Sequence, residues 1–362
     1  MTARARRVLV TGASGLIGSH VVRALAEAGY APRALVRRAG ALESPLAGEL
    51  EVVYGDVRDR DAVESAMRGC AAAIHCAAIY SYSRARAAEM FETNVGGTRN
   101  VLDAAARAGL ERVVVTSSAA TCGPVAGRPA DEHDSMPPWE RGVPYKDSKL
   151  AAEELALARG RAGQDVVVVN PTTTIGPGDR RPTPSGRMVR DVLEGRIRGY
   201  ISSGGLNLVG AADVARGHVL ALERGRSGER YLLGGEDLAM GELFSLIAQL
   251  GGVAEPWLAL PYPLVAAAAR LYDPLARALG REPTLLVLDE VRLARLPMYF
   301  TSARAERELG YTHQPALRVL SETVAWFAER QERPRPAAAR RWIYSSVRSG
   351  GASAGAGGAG SS

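Results

Sequence analysis

Lysine is nearly missing from this chain: Lys146 and Lys149 are the only two, and every other one of the 45 Lys+Arg residues is arginine. Cysteine is scarce as well. Cys70, Cys76 and Cys122 are odd in number and lack metal-ligand spacing. That excludes a disulfide framework or a zinc site and leaves small buried hydrophobes in a reducing cytosol. Long apolar runs are absent too. The longest uncharged one, Leu258 to Ala269, is interrupted by Pro261 and Pro263 and falls short of the ~20 residues a membrane span needs. Near the start, Val8-Leu9-Val10 is too short for the apolar core of a secretory signal. These absences predict a cytoplasmic protein with no transmembrane segment. Basic runs are missing outside the two ends, so a net charge of +6 and a pI near 9.4 do not amount to a nucleic-acid footprint. What remains is ample for a core: 46% of the 362 residues are hydrophobic. The length fits about two domains, or one large α/β unit with an appended lobe.

Both lysines fall in one stretch, Pro144-Tyr145-Lys146-Asp147-Ser148-Lys149. Arginine is locked in its charged form, whereas lysine is a compact ammonium whose acidity a site can tune. A helix here stacks Tyr145 and Lys149 at i and i+4 on one face. A cation beside a phenol favours the phenolate, so the pairing predicts a tyrosine with a depressed pKa that exchanges a proton near neutral pH. The bland alternative is an amphipathic helix start with a surface lysine, and the surrounding chain decides between them.

Arg7 to Thr11 reads as a short apolar strand running into Gly12-Ala13-Ser14-Gly15-Leu16-Ile17-Gly18, then a helix closing at Gly29 and a second strand, Ala31 to Val36. Three glycines at this spacing allow a sharp turn, close approach to a pyrophosphate and tight helix packing. The helix N-terminus then offers its amides to the phosphates. The second strand ends in Leu35-Val36-Arg37-Arg38 with no acid nearby. An acid there would hold a ribose hydroxyl, and an arginine suits a 2′-phosphate. Arg37 therefore points to NADP, with NAD as the alternative. Further strands end at Gly55-Asp56-Val57, Cys76-Ala77-Ala78, Ser117-Ser118-Ala119 and Asn170-Pro171-Thr172. Helices alternate with them, one of them a long helix from Ala87 to Ala108 carrying Asn94. Such alternation predicts a parallel sheet covered on both faces, with all these strand ends on one rim.

Thr11-Gly12-x-x-Gly15-x-x-Gly18, Gly55-Asp56-Val57, His75-Cys76-Ala77-Ala78, Asn94-Val95-x-Gly97-Thr98, Thr116-Ser117-Ser118 and Tyr145-x-x-x-Lys149 together resemble an extended short-chain dehydrogenase/reductase over Arg6 to Arg330. Within that superfamily, Gly176-Pro177-Gly178-Asp179, Gly205 to Val209 and Tyr231 to Gly235 resemble the dihydroflavonol-reductase-like branch, nearest to the hopanoid-associated sugar epimerase group. The resemblance implies an α/β fold, a doubly wound parallel (Rossmann) sheet with a smaller, mostly helical C-terminal substrate lobe. The dinucleotide-binding domain would span 1–175, with 205–235 returning to it. The substrate lobe would be 176–204 and 236–331, and 332–362 a disordered tail.

The resemblance also assigns roles. Tyr145 becomes the acid/base, Lys149 its pKa-lowering partner and ribose ligand, Ser118 the donor to the substrate oxygen, and Asn94 a support of the proton relay. Ser117 is the other candidate serine; Ser118 is preferred because it directly precedes an alanine. Gly12, Ser14, Gly15, Leu16, Ile17 and Gly18 would hold the pyrophosphate, Arg37, Asp56 and Val57 the adenosine end, Ala77 and Ala78 the ribose-phosphate side, and Pro171 and Thr172 the nicotinamide face. No metal is called for, and a homodimer is compatible.

Two departures steer the reaction. Dehydratase relatives carry acids just after the serine, where this chain has Ala119-Ala120-Thr121-Cys122. Sugar-nucleotide epimerases carry an arginine and a histidine where it has Leu206 to Asp213, with neither. The expectation is an NADP(H)-dependent oxidoreductase acting on a ketone or secondary alcohol of a lipophilic small molecule, with Tyr80 and Tyr82 near the pocket. A redox-neutral sugar epimerase with bound NAD and a non-catalytic nucleotide-binding protein are the alternatives.

Overall fold

The first strand, β1 (Arg7–Thr11), carries Val8-Leu9-Val10 wholly out of solvent. A strand buried on both faces belongs inside a parallel sheet covered by helices. The structure, a computed structural model, describes residues 6–38, 40, 42, 50–81, 84–279 and 288–330. From β1 the chain runs through α1 (Leu16–Glu27), β2 (Ala31–Val36), β3 (Glu51–Tyr54), α2 (Arg60–Met67), β4 (Ala72–His75), α3 (Ala87–Phe91), α4 (Gly97–Ala108), β5 (Arg112–Thr116), α5 (Pro144–Arg161) and β6 (Val166–Pro171). There follow β7 (Thr173–Ile175), α6 (Pro184–Leu193), β8 (Gly199–Ile201), β9 (Gly205–Gly210), α7 (Ala211–Arg224), β10 (Arg230–Leu233), β11 (Glu236–Ala239), α8 (Met240–Gly251) and β12 (Leu258–Leu260). The last helices are α9 (Tyr262–Ala278), α10 (Leu288–Leu293), α11 (Ala303–Leu309) and α12 (Ala316–Glu329).

The main sheet has seven strands in the order β3-β2-β1-β4-β5-β6-β10, every neighbouring pair parallel. The order reverses between β1 and β4, which opens a crevice at their carboxyl ends, the usual ligand position in such sheets. Helices α1, α7 and α11 cover one face and α2, α4 and α5 the other, each closing its own apolar core. This is the doubly wound fold expected of the alternating pattern. A further core joins α6, α8 and α12 to the small sheet β11-β9-β7. Another joins α9 and α10 to the β8-β12 pair.

The expected single helix from Ala87 to Ala108 is interrupted. One π-helical turn, Glu92–Gly96, separates α3 from α4 and carries Asn94 on its inner side. Such turns re-aim side chains at functional positions. Gly97, just after it, abuts Val57 so closely that a Cβ would sit 2.8 Å from a Val57 methyl. Residues 280–287 fall outside the described residues. Tyr82 and the tail from Glu332 also lie outside them. No described helix is long and apolar enough to cross a membrane.

Candidate active site

The glycine turn is built by close approach. Gly12 takes φ +67°, and a Cβ on it would lie 2.6 Å from the Ala77 amide nitrogen. A Cβ on Gly18 would lie 2.2 Å from the Gly12 carbonyl oxygen. Glycine at both lets α1 begin directly against the turn while the turn lies against the Cys76–Ala77 backbone. Thr11 ties the same pieces together: its Oγ1 is 2.7 Å from His75 Nδ1 and accepts from the Ala77 amide at 3.3 Å. Gly15 is the N-cap of α1 and offers no side chain to the first-turn amides, those of Leu16, Ile17 and Gly18. With Ser14 exposed beside them, they form the kind of open helix N-terminus that binds phosphate.

On the other side of the crevice stands α5. Pro144 opens it at the first helical position, where a missing N–H costs nothing. Tyr145 and Lys149 follow one turn apart, both buried. The Tyr145 hydroxyl is hydrogen-bonded to the Ser118 side chain, and the Tyr145 ring stacks on Tyr80 with centroids 4.3 Å apart. Lys149 Nζ donates to the Thr116 carbonyl at 2.8 Å. Ser118 caps the short turn Ala119–Thr121 that follows β5. Asn94 works at one remove. Its Oδ1 accepts from the Ile79 amide (2.8 Å), and its Nδ2 donates to the Ile79 carbonyl (3.1 Å) and to Ser148 Oγ (2.9 Å). It therefore pins the segment after β4 to the helix that carries Tyr145 and Lys149.

At the adenosine end, Asp56 accepts from the Arg58 amide at 3.0 Å and from the Arg58 guanidinium at 2.8 and 3.1 Å. Those hydrogen bonds hold its carboxyl below the usual range, with a smaller contribution from Arg37. Val57 is buried, and Asn100 Nδ2 donates to its carbonyl at 2.9 Å. Arg37 leaves β2 exposed at the same rim. At the far end, Pro171 pairs with Leu233 and the Thr172 amide donates to the Leu233 carbonyl. Ala77 and Ala78 line the middle, Ala78 exposed. The topology thus brings the predicted catalytic and cofactor-binding residues to one rim.

Residues 8–234 match the NAD dependent epimerase/dehydratase family. Among curated proteins, the chain is 36% identical over 323 residues to a putative dihydroflavonol 4-reductase of Synechocystis, covering 88% of this chain and 93% of that one. It is also 36% identical to sterol demethylase protein B of Methylococcus capsulatus (89% and 98% covered). A third relative, at 32%, is the 4-hydroxy-2-methyl-3-oxo-4-farnesyl-3,4-dihydroquinoline-1-oxide ketoreductase of Stigmatella aurantiaca (87% and 96%). Among solved structures, a nucleoside-diphosphate-sugar epimerase from Pseudomonas aeruginosa superposes with a TM-score of 0.74 at 27% identity, covering 90% of this chain and 98% of that one. The chain belongs to the NAD dependent epimerase/dehydratase family. As an extended short-chain dehydrogenase/reductase, it is an NAD(P)-dependent oxidoreductase of CH–OH groups.

The electrostatics of this dehydrogenase/reductase site depart from the expectation. The i, i+4 pairing predicted a phenol acidified by Lys149. Instead, burial raises the Tyr145 phenol above its ordinary value, Tyr80 adds to the rise, and only the Ser118 hydrogen bond opposes it. Desolvation of a phenolate on a closed helix face outweighs an ammonium directed at a backbone carbonyl. Burial also pushes Lys149 down to about 8, with Cys76 and Glu153 acting in the opposite direction. The neighbouring His75 is driven to about 3, by burial first and then by Lys149.

Glu153 is a residue the sequence reading missed. It lies one turn beyond Lys149 on α5, buried, and accepts from Thr121 Oγ1 (2.8 Å), Asn170 Nδ2 (2.6 Å) and Arg230 Nη1 (2.5 Å). Asn170 Nδ2 also reaches the Ser118 carbonyl at 3.1 Å. One acid thereby joins the lysine helix, the serine turn and the edge strand β10. Its signal in the sequence was an acid at i+4 from Lys149 on the inward stripe. The other lysine, Lys146, has a structural partner: it forms a buried ion pair with Glu140. A cleft of about 330 Å³ lies at the opposite end of the strands, beside Arg6, Glu111, Arg112 and Asp165. Arg112 pairs there with Asp165 and Arg6 with Glu111, Glu223 accepts from the Tyr30 hydroxyl, and none of the site residues lines it.

Proposed function

We propose that the chain is an NADP(H)-dependent reductase of a ketone, or oxidant of the matching secondary alcohol, on a lipophilic or aromatic small molecule of secondary or lipid metabolism. The observation that carries this reading is the hydrogen bond between the Tyr145 and Ser118 hydroxyls, with Lys149 one turn away, across the crevice from the glycine turn.

The residues present fit a dinucleotide laid along that rim. The glycine turn and the uncapped α1 amides suit a pyrophosphate. The buried Ser117 Oγ and Thr172 Oγ1 have no hydrogen-bond partner among the described residues, so two polar atoms at the nicotinamide end stand ready for a polar group. Arg37 would take the 2′-phosphate and Asp56 and Val57 the adenine, with Lys149 at the ribose. When bound, the cofactor supplies or accepts the hydride.

In the reduction direction a carbonyl oxygen would lie between Ser118 Oγ and Tyr145 Oη. Ser118 orients it, and Tyr145 delivers the proton as negative charge develops there. A phenol raised by burial suits this role, because it keeps its proton until the substrate oxygen becomes the stronger base. Lys149 then stabilises the phenolate. Asn94 sets the helix and the Ile79 segment in register.

The substrate class rests on what β9 lacks. Asn207 there is spent on structure, donating to Asp237 Oδ1 (2.7 Å) and the Gly235 carbonyl (3.1 Å), and its flanking leucines offer no clamp for a diphosphate. The relatives named for sterol and farnesyl-quinoline substrates support the same class. The test is NADPH consumption by the purified protein against cyclic and aromatic ketones, with nucleotide sugars in parallel. Ketone-dependent oxidation is expected. Interconversion of a nucleotide sugar by protein that already carries NAD, with no net nicotinamide turnover, would overturn the reading.

A further inference from the structure

Helix α9 packs on β8, β12 and α10 through Val265, Ala266 and Ala269. Its other face should be polar if it met only water. Instead Leu264, Leu271, Leu275 and, just past the helix end, Leu279 are each 60–77% exposed, and Trp257 beside β12 is 77% exposed. With Leu258, these account for six of the ten exposed large hydrophobic side chains among the described residues, within 23 positions of the chain. Single exposed leucines are ordinary, whereas a contiguous patch marks a docking surface.

Two exposed arginines border it, while the nearby acid Glu255 is hydrogen-bonded to Ser245 and Gln249 of α8. Arg270 lies on the helix, and Arg198 adjoins Leu258, whose amide donates to the Arg198 carbonyl. Both are exposed, and neither forms an ion pair among the described residues. The acid of α9, Asp273, is turned inward and buried. Leucines and a tryptophan with unpaired arginines match an apolar interior beneath anionic headgroups. A second copy of the chain fits less well, since a two-fold interface would bring two sets of unpaired guanidinium groups together in an apolar contact.

We propose that the outer face of α9, with Trp257, Leu258, Arg198 and Arg270, docks on a bilayer surface carrying anionic lipid, making the chain a peripheral membrane protein. The placement has a consequence for the site. Helix α10, packed on α9, reaches both segments beside Tyr145: Asp289 accepts twice from Arg84 at 2.9 Å, and Arg292 donates to the Trp139 carbonyl. A lipid-docked α9 is therefore one helix removed from the mouth of the crevice. The docking surface itself does not depend on the catalytic reading.

The full-length protein is sedimented with phosphatidylcholine vesicles and with phosphatidylcholine/phosphatidylglycerol vesicles. The wild type should pellet with the anionic vesicles and less with the neutral ones. The variant Leu271→Asp/Leu275→Asp should stay in the supernatant with an unchanged melting temperature. Arg198→Ala/Arg270→Ala should bind anionic vesicles about five-fold more weakly per arginine removed. Wild-type protein that ignores anionic vesicles overturns the proposal, as do variants that pellet as the wild type does. A wild-type dimer that the aspartate variant dissociates also overturns it, assigning the face to a second copy.

Discussion

Lys149 gives the sharpest quantitative test. Burial holds its ammonium down from 10.5 to about 8, a difference worth about 3 kcal/mol against the charged form. At pH 7 the lysine is charged in both folded and unfolded chains, so this cost is fully present. Between pH 8 and 10.5 the unfolded chain holds a proton the native one has released, so the lysine's contribution to stability rises with pH across that window. Lys149→Met keeps the unbranched stem and removes the charge. It also forfeits the hydrogen bond to the Thr116 carbonyl, worth about 1 kcal/mol, while Glu153 stays compensated by Arg230. The variant should therefore be more stable than wild type by about 2 kcal/mol at pH 7, or roughly 3–6 °C in melting temperature, and the gap should close by pH 10. Turnover should collapse in the same protein, a gain of stability at the expense of function. The assay is calorimetric melting at both pH values on protein stripped of nucleotide. A variant that melts lower at pH 7, or a gap indifferent to pH, would refute the reasoning.

Tyr145→Phe retains the stack on Tyr80 but loses the transferable proton; kcat should fall about 10²–10⁴-fold with cofactor affinity intact by fluorescence titration, and undiminished turnover would remove Tyr145 from the chemistry. Arg37→Ala should weaken NADPH far more than NADH in the same titration, and equal losses would show that Arg37 does not read the phosphate. Ketone reduction should decline at alkaline pH with an apparent pKa near 8 as Lys149 loses its proton; a flat profile to pH 10 would remove the ammonium from the machinery. Glu153→Gln removes the ion-pair partner of the half-buried Arg230, leaving it the Glu132 and Asp134 carbonyls, and should cost about 3 kcal/mol in denaturant unfolding. Adding Arg230→Gln should recover part of that loss, whereas strictly additive losses would mean the pair is uncoupled.

The fold was legible because its signals are local. Continuous β-branched runs such as Val113-Val114-Val115 identify strands buried on both faces, and Gly12, Gly15 and Gly18 mark a turn other residues cannot make. Helix α2 could be read from Asp59, which caps it by accepting from the Asp61 and Ala62 amides. Less visible were features that depend on partners far away in the chain. Asn94 looks like a helix-interior polar residue until the π turn aims it at Ile79. The two lysines look alike in sequence, and only Glu140 and Thr116, brought in from different elements, give them different work.

The amino-acid sequence alone determined the alternating architecture, the glycine turn and the pair of residues poised one helical turn apart, because periodicity and backbone sterics act over a few positions. Tertiary structure decided the charge state of that pair. Desolvation depends on everything packed around a group, and here it raises the phenol and lowers the ammonium against the direction their mutual attraction would set. It also decided which leucines face outward on α9, since the helix's apolar residues surround its axis and only the contacts with β8, β12 and α10 determine which of them water can reach.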